Sequence, residues 1–393
     1  MVSLTTADNA LKTLYLGVVS EQLNTNINPL LAKIKQTTAD VWGKEIVKLA
    51  PYGVNGGVGA GTEDGALPMA ASNNYARFTS ELKNLYGTIE ITDKAMRASE
   101  NNAGAFVNLL NAEMEGLVKA ASFNFGRMLY GDGSGTLATI SEPIQGESST
   151  VTLTSVRNVI EGQVIDFYRG GTKIASASGA RIIYVDRKNS KITVDKKISS
   201  ADVDAGDFIT VQGSYGNELT GLGAIFNTNK PLYGLDRSEH PWMTPYMDTQ
   251  VKNIDDIYIQ KAIDDLEETA GSTVDFIVCS AGVKRAYQHH LASFVRNIDV
   301  LNLAGGFKAL SYNGIPLVSD RFVEEGTMYL LNTSEFALHQ LCDWKWLEGE
   351  DGKVIKQKAG LPVYTATLVK YADLICNKPR GQARITGISE QIA

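Results

Sequence analysis

The chain is 393 residues long and 44% hydrophobic, enough to bury one large core or two to three smaller ones. A formal net charge of −7 excludes an open basic surface that grips nucleic acid through its phosphates, though a container wall that merely tolerates DNA is compatible with it. Three scattered cysteines (Cys279, Cys342, Cys376) imply no disulfide framework, and no apolar run reaches the ~18 residues needed to span a bilayer, so the product is expected to be soluble and made in a reducing cytosol.

The opening segment, MVSLTTADNALKTLYLGVVSEQ, lacks the charged start and continuous apolar core of a secretion signal. Residues 3–38 are predicted helical with interruptions. Leu11, Leu14, Leu16, Val19 and Leu23 recur at helical spacing, and Pro29 opens a second piece, LLAKIK. VWGKEIVKLA, residues 41–50, is predicted as a strand, and YARFTSELKNLYGTIEIT, residues 75–92, as a second long one, from its Thr, Phe, Tyr and Ile content. Between them lies the glycine-rich GVNGGVGAGTEDG, residues 53–65. Two strands joined by so long a tip make an extended hairpin, and an arm of about nine residues projects roughly 30 Å. An isolated hairpin is marginal in water and presents unpaired edges, so the arm either lies on another subunit or folds back onto its own domain.

Ser99 is placed to cap a long helix over residues 101–130. Phe106, Leu109, Leu110, Met114, Leu117, Val118, Ala121, Phe125, Met128 and Leu129 form its apolar stripe, and GDGSG, residues 131–135, stops it after ~45 Å. From Pro143 to Gly221 short Val/Ile/Thr/Tyr runs alternate with Gly, Asn and Asp turns (TVTLTS, QVIDFYR, TKIASA, RIIYVD, KITVDKK, DFITVQG), which predicts a small β-barrel or sandwich inserted between two α/β stretches. NIDDIYIQKAIDDLEETAG is then predicted as an amphipathic helix with Ile257, Ile259, Ala262, Ile263 and Leu266 on its apolar side and Gly271 at its stop. A buried-type strand VDFIVCS, a helix AGVKRAYQHHLASF and the strand candidates KALSYN, IPLVSD, TMYLLNT and FALHQLCDW follow. VYTATLVKYADLICNKPRGQARITGI closes the chain as an expected strand pair around NKPRG.

No constellation argues for catalysis. The glycine run has neither the Lys-Ser/Thr of a P-loop nor the third glycine of a dinucleotide motif, since Thr62 follows Gly57 and Gly59 at that place. ALPMAASNN after Gly65 does not begin a helix, so no aligned amides await an anion and the run is expected to be a flexible tip. His289 and His290 diverge on a helix, and His339 with Cys342 gives two zinc ligands where three or four are required. No serine sits in a nucleophile elbow. Asp255, Asp256, Asp264, Asp265, Glu267 and Glu268 avoid the apolar stripe and form a solvated face. The basic stretches 345–358 and 377–384 suit either nucleic acid or the acidic faces of neighbouring copies, the second being favoured by the overall negative charge. No metal, cofactor or enzymatic activity is expected.

Taken in order, these elements resemble the major capsid proteins of tailed bacteriophages, with the α+β Hong Kong 97-type fold. GTIEITDKAMRAS entering a long helix and ATLVKYADLICNKPRGQARITGI at the end carry the resemblance most strongly. It implies an N-terminal arm (1–40), an extended loop (41–98), a peripheral domain with a spine helix (99–142), an inserted β-domain (143–221), an axial domain (222–360) and return strands (361–393). The implied function is a virion shell: hexamers and pentamers closing into an icosahedral capsid around double-stranded DNA, with the extended loop clamping neighbours. Implied partners are other copies of the chain, portal and scaffold proteins, a decoration protein and weak non-specific contact with packaged DNA, and no membrane. An encapsulin-like compartment is the alternative within the fold, and an enzyme with a β regulatory domain the alternative outside it. Residues expected at intersubunit contacts are Lys44, Lys48, Gly57, Gly59, Gly61, Glu63, Asp64, Arg77, Glu81, Lys83, Lys378 and Arg380. Some relatives crosslink a loop lysine to an asparagine. Lys44, Lys48, Lys83 and Asn377 are present, but nothing marks them as a reactive set.

Overall fold

The computed structural model describes residues 28–95, 103–293, 300–302, 308–350 and 352–390. The helical pattern expected before residue 28 and the Ser99 cap lie outside the described residues. The piece opened by Pro29 is one turn rather than a helix: Asn28 Oδ1 accepts from Leu30 N (2.8 Å) and Leu31 N (3.3 Å), and Ile34 N closes the turn on Leu30 O. With Leu30, Leu31 and Ile34 already buried, the chain extends as β1 (Lys35–Thr37), which finds its hydrogen bonds in a parallel neighbour instead of in further helix.

Strands β2 (Val41–Trp42), β3 (Glu45–Tyr52) and β4 (Asn74–Glu81) form a separate three-stranded sheet, with Glu45 opposite Glu81 at its root and Tyr52 opposite Asn74 at its far end. The single strand expected over 75–92 is two. After Leu82, β5 (Lys83–Thr92) leaves the arm and joins another sheet. The cause is a change of phase: β4 buries Ala76 and Phe78, at even positions, whereas β5 buries Leu85, Ile89 and Ile91, at odd ones. With a side-chain period of two, one continuous strand cannot bury both sets on one face.

The long helix α1 (Ala103–Met128) packs Met114, Val118, Phe125 and Met128 toward β5. A Cβ added at Gly87 of β5 would lie 2.8 Å from Leu117 Cδ1, which shows how closely helix and strand approach. The chain then enters β6 (Thr136–Thr139), β7 (Glu147–Thr152), β8 (Val164–Arg169), β9 (Thr172–Lys173), β10 (Ala180–Asp186), β11 (Lys191–Ser199) and β12 (Phe208–Val211). Their order, β6-β12-β8-β10-β11-β7, is closed into a ring by the bridge between Ile140 and Leu153, around a core of its own that includes Val151, Ile165, Phe167, Ile192 and Ile209. Strand β6 was not foreseen. TLAT is too short to show alternation, and it pairs with β12, more than sixty residues later in the chain. Beyond the ring, Leu222 N and Gly223 N donate to the carbonyls of Leu129 (2.8 Å) and Tyr130 (3.2 Å), so the returning chain, entering the short α2 (Leu222–Ile225), satisfies the end of the long helix.

Six strands of a seven-stranded sheet follow, β13 (Tyr246–Asp248), β14 (Phe276–Cys279), β15 (Val300–Asn302), β16 (Lys308–Tyr312), β17 (Ile315–Ser319) and β18 (Met328–Leu331), with α3 (Asp256–Ala270) and α4 (Ala281–Ser293) between them; the seventh comes from the end of the chain. Asp255 caps α3 by accepting from Tyr258 N (3.0 Å), and Gly271, at φ 54°, ends it in the left-handed region that favours glycine. Ile259, Ala262 and Leu266 are buried, but Ile257 is 73% exposed. Two positions before Ile259 it stands about 200° around the helix, so its place on the expected apolar side is corrected.

Within residues 222–360 the chain changes sheets. Strand β19 (Phe336–Trp346) lies between β1 and the fourteen-residue β21 (Val363–Cys376), the short β20 (Lys356–Gln357) pairs with the start of β21 on the same side as β19, and β5 flanks β21 on the other side. The expected closing strand pair is also corrected. After the 3-10 turn Pro379–Gly381, β22 (Ala383–Ile385) crosses to the seven-stranded sheet between β13 and β18 and does not pair with β21. The turn fixes this, because Gln382 is buried and accepts from the second sheet: Tyr246 N donates to its carbonyl and Asn332 N to its side-chain oxygen.

Asp320, buried after β17, joins the two halves by accepting from Phe322 N and from Tyr130 Oη, each at 3.0 Å. Burial, opposed by these bonds, raises its pKa from 3.8 to about 6. Between those values the folded chain holds a proton that the unfolded chain has released, so this stabilisation is complete below the unfolded value and is lost as pH rises through about 6. Asp320→Asn removes the term. The stability of the variant minus that of the protein itself should rise by about 3 kcal/mol between about pH 3 and about pH 7. Urea unfolding across that range measures it, and a pH-independent difference would refute the titration.

Candidate intersubunit interface

Among the described residues, the arm has a root held by its own chain and a tip that is not. At the root, Phe78 packs against Tyr233 (5.3 Å) and Trp242 (6.2 Å), Tyr52 stacks on Trp242 at 4.8 Å, and Thr79 N donates to Tyr233 O (2.9 Å). Below it sits Asp373 of β21, fully buried, which accepts from Ser80 Oγ (2.6 Å), Thr220 N (2.7 Å) and Thr220 Oγ1 (2.9 Å). Burial raises its pKa, and the Ser80 and Thr220 bonds oppose the rise. One carboxylate thus ties together the arm, the chain returning from the ring and the longest strand. Tyr233 completes the attachment, donating to Leu374 O (3.2 Å) and accepting from Cys376 N (2.9 Å).

Past Tyr52 nothing of this kind continues. Residues 53–73 form no strand or helix and are exposed throughout, Gly57 alone being half-buried. Tip and arm show Trp42, Leu49, Val54, Val58, Leu67, Met69 and Tyr75 to solvent, the four tip residues at 85–89% exposure. The two legs of the tip touch each other: Asn55 Nδ2 donates to Asn73 Oδ1 (3.0 Å), and Gly57 N to Asn55 Oδ1 (2.8 Å). The glycines serve this approach more than they serve unusual torsions. A Cβ at Gly57 would sit 3.2 Å from Ala71 N and one at Gly59 3.3 Å from Pro68 Cγ, whereas only Gly53 at the base has a positive φ, 69°. No helix follows Gly65, so the tip presents no anion-binding helix end.

The residues named for intersubunit contact fall into separate groups. Gly57, Gly59, Gly61, Glu63 and Asp64 lie together on the tip. Lys44 meets Glu81 at 3.9 Å at the root, while Lys48 turns to Asp40, also at 3.9 Å. Arg77 projects from the exposed face of β4, between Ala76 and Phe78, and Lys83 begins β5. Lys378 and Arg380 belong to another place, the 3-10 turn that packs on α3, where Ser272 Oγ donates to Gly381 O (3.1 Å). Tyr233 and Trp242 had no signal in the sequence, because the segment between Gly221 and Tyr246 has no periodicity to read, and Asp373 had none because its partners Ser80 and Thr220 lie far away in the chain.

Other chemistry finds no assembled site. Among the described residues no group of three or more His, Cys, Asp or Glu is placed to hold a metal ion, and no helix is long and apolar enough to cross a membrane. His339 is buried, with Nδ1 2.8 Å from Ala39 O, and Cys342, past a bulge in β19, is half-buried. Burial pushes the Cys279 thiol up to about 12 and that of Cys376 higher still, which makes both inert.

No family model matches the sequence, and no curated protein matches it. Among solved structures, the capsid asymmetric unit of Cyanophage A-1(L) matches with a TM-score of 0.53 and 14% identity, covering 96% of this chain and 93% of that one. The holo-SrpI encapsulin complex from Synechococcus elongatus PCC 7942 matches at 0.46 and 8% identity (93% and 90% covered), and the satellite phage P4 procapsid at 0.43 and 10% (95% and 97%). The cyanophage match runs nearly end to end in both chains and combines with the arm, the long helix and the two sheets described above, so this chain has the α+β capsid fold of the Hong Kong 97 type.

Proposed function

We propose that this chain is a major capsid protein of a tailed phage, which assembles through hexamers and pentamers into an icosahedral shell around double-stranded DNA. The observation that carries the reading is the tip: an apolar, glycine-rich loop on a two-stranded arm that, among the described residues, is bound to its own chain only at the root. A soluble monomer gains nothing from showing Val54, Val58, Leu67 and Met69 to water, whereas a neighbouring copy covering them gains about 25 cal/mol for each Å² of apolar surface removed from solvent. In a closed assembly every arm finds the same surface on the next copy, so modest contacts repeat around each ring.

On this reading residues 1–40 are an N-terminal arm, 41–98 the extended loop, 99–142 and 361–393 parts of a peripheral domain, 143–221 an insertion, and 222–360 an axial domain that shares strands with the peripheral one. The tip residues Gly57, Gly59, Gly61, Glu63 and Asp64 contact the neighbour, with Lys44, Lys48, Arg77, Glu81 and Lys83 along the arm and Lys378 and Arg380 on a second contact. The chain is a building block without catalysis, located in the virion and made in the host cytoplasm. Its further partners are portal, scaffold and decoration proteins and, weakly, packaged DNA.

Negative-stain electron microscopy of the purified protein tests this. Closed shells or five- and six-fold rings are expected. A protein that remains monomeric or dimeric under all assembly conditions would sink the reading, and shells that enclose a protein cargo in place of DNA would move it to an encapsulin-like compartment.

A further inference from the structure

A cavity of about 510 Å³ lies where three parts of the molecule meet, at the end of α1, the entry to the β-ring and the face of the seven-stranded sheet. Each part contributes an arginine to its wall: Arg127 from α1, Arg157 from the loop after β7 and Arg384 from β22. The Nε of all three is buried and finds no acceptor among the described residues. Arg127 is 3% exposed and spends both Nη atoms on the buried Glu218, donating to Oε2 (2.8 Å) and Oε1 (2.5 Å), so its charge is balanced within the wall.

The acids of the same wall do not balance this set. Glu218 is committed to Arg127, and Asp132 to Lys230 (3.4 Å) and to Ser134 Oγ. Glu324 remains, facing Arg157 and Arg384, neither of which makes an ion pair with a carboxylate among the described residues. Arg384 instead sets its guanidinium 5.5 Å from the Phe226 ring. Two guanidinium groups without a carboxylate partner, Arg157 and Arg384, thus meet on one cavity with a single uncommitted acid, an excess of positive charge that suits an oxyanion.

We propose that this junction binds a phosphoryl group. A planar carboxylate offers two oxygens in one plane and is matched by a single guanidinium fork, whereas a phosphoryl group offers tetrahedral oxygens to donors arriving from different walls, here Arg157 on the ring side and Arg384 on the sheet. The volume lies in the range of small-molecule sites, roughly 300–1,000 Å³. The ligand bridges helix, ring and sheet. The inference stands on this geometry and does not depend on the shell reading.

The test uses pyrophosphate and inorganic phosphate as probes, with ionic strength held constant by chloride, on the full chain and on Arg157→Gln, Arg384→Gln and the double variant. Calorimetric titration should show pyrophosphate binding to the full chain with a Kd below ~1 mM, accompanied by a rise in Tm. The double variant should bind at least ~10-fold more weakly, and each single variant should fall between. An unchanged circular dichroism spectrum and an unchanged Tm in chloride separate loss of binding from loss of fold. A short DNA duplex that competes with pyrophosphate identifies nucleic acid as the source of the phosphoryl group, and failure to compete identifies a soluble phosphate compound. No heat and no Tm shift with the full chain, or equal responses in the full chain and the double variant, would overturn the proposal and leave the arginines simply hydrated.

Discussion

Gly221→Ala is expected to destabilise the fold by about 3 kcal/mol or more, the largest loss from any single methyl group considered in this protein. Gly221 has φ −82° and ψ −170°, angles open to any residue, so its requirement for glycine is not torsional. It arises from contact. A Cβ there would lie 2.7 Å from the carbonyl oxygens of Leu129 and Gly131, and closer still to that of Met128. These are backbone atoms at the end of α1 and have no rotamer with which to yield. Relieving the clash means lifting residues 220–223 off the helix, which breaks the bonds from Leu222 N to Leu129 O and from Gly223 N to Tyr130 O and pulls Thr220 from Asp373. Gly271→Ala is the matched control. It puts alanine at φ 54° but meets nothing within 4 Å, so it should cost about 1 kcal/mol. Urea unfolding of both variants decides the point, and a Gly221→Ala loss no greater than that of Gly271→Ala would mean that the returning chain is not docked on the helix end.

The same docking explains what the sequence could and could not convey. Periodic elements announce themselves: the stripe of α1, the four apolar positions of β14 and the alternation of the ring strands are local patterns imposed by one buried face. Even the break at Leu82 was written in the phase of Ala76 and Phe78 against Leu85, Ile89 and Ile91. Partnership was not written. Strands β21 and β22 stand seven residues apart and read as a hairpin, yet a 3-10 turn and the buried Gln382 send them to different sheets. The root of the arm was equally silent, since Trp242, Tyr233 and Asp373 act through contacts more than a hundred residues distant in the chain. Of the candidate interface, the glycine-rich tip was legible because its composition excludes a core. Its mechanical basis was legible only in the structure, where the glycines let two legs lie side by side.

Deleting residues 55–64 should abolish assembly while leaving the subunit folded. The excised segment makes its hydrogen bonds within the tip, from Gly57 N to Asn55 Oδ1, from Asn55 Nδ2 to Asn73 Oδ1 and from Gly65 N to Thr62 O, and contributes no residue to any of the three buried cores. The root contacts of Tyr52, Phe78 and Ser80 remain, so subunit stability should change by less than about 1 kcal/mol. Assembly should respond far more strongly, because each copy loses the same contact and every 1.4 kcal/mol lost at an interface is about tenfold in its association constant. A gentler variant, Leu67→Ser with Met69→Ser, keeps the length and the glycines and removes only two side chains that are each 89% exposed in the subunit. If a neighbour buries them, the double change removes about 1.5–3 kcal/mol per side chain and should lower shell yield by at least tenfold, with no loss of subunit stability. Unfolding in urea and the shell fraction in a sucrose gradient give the two readouts. Normal shells from both variants would mean that the tip touches no neighbour, and an unfolded subunit would make it part of its own core. Loss of shells with an intact subunit is the combination that only an intersubunit clamp produces.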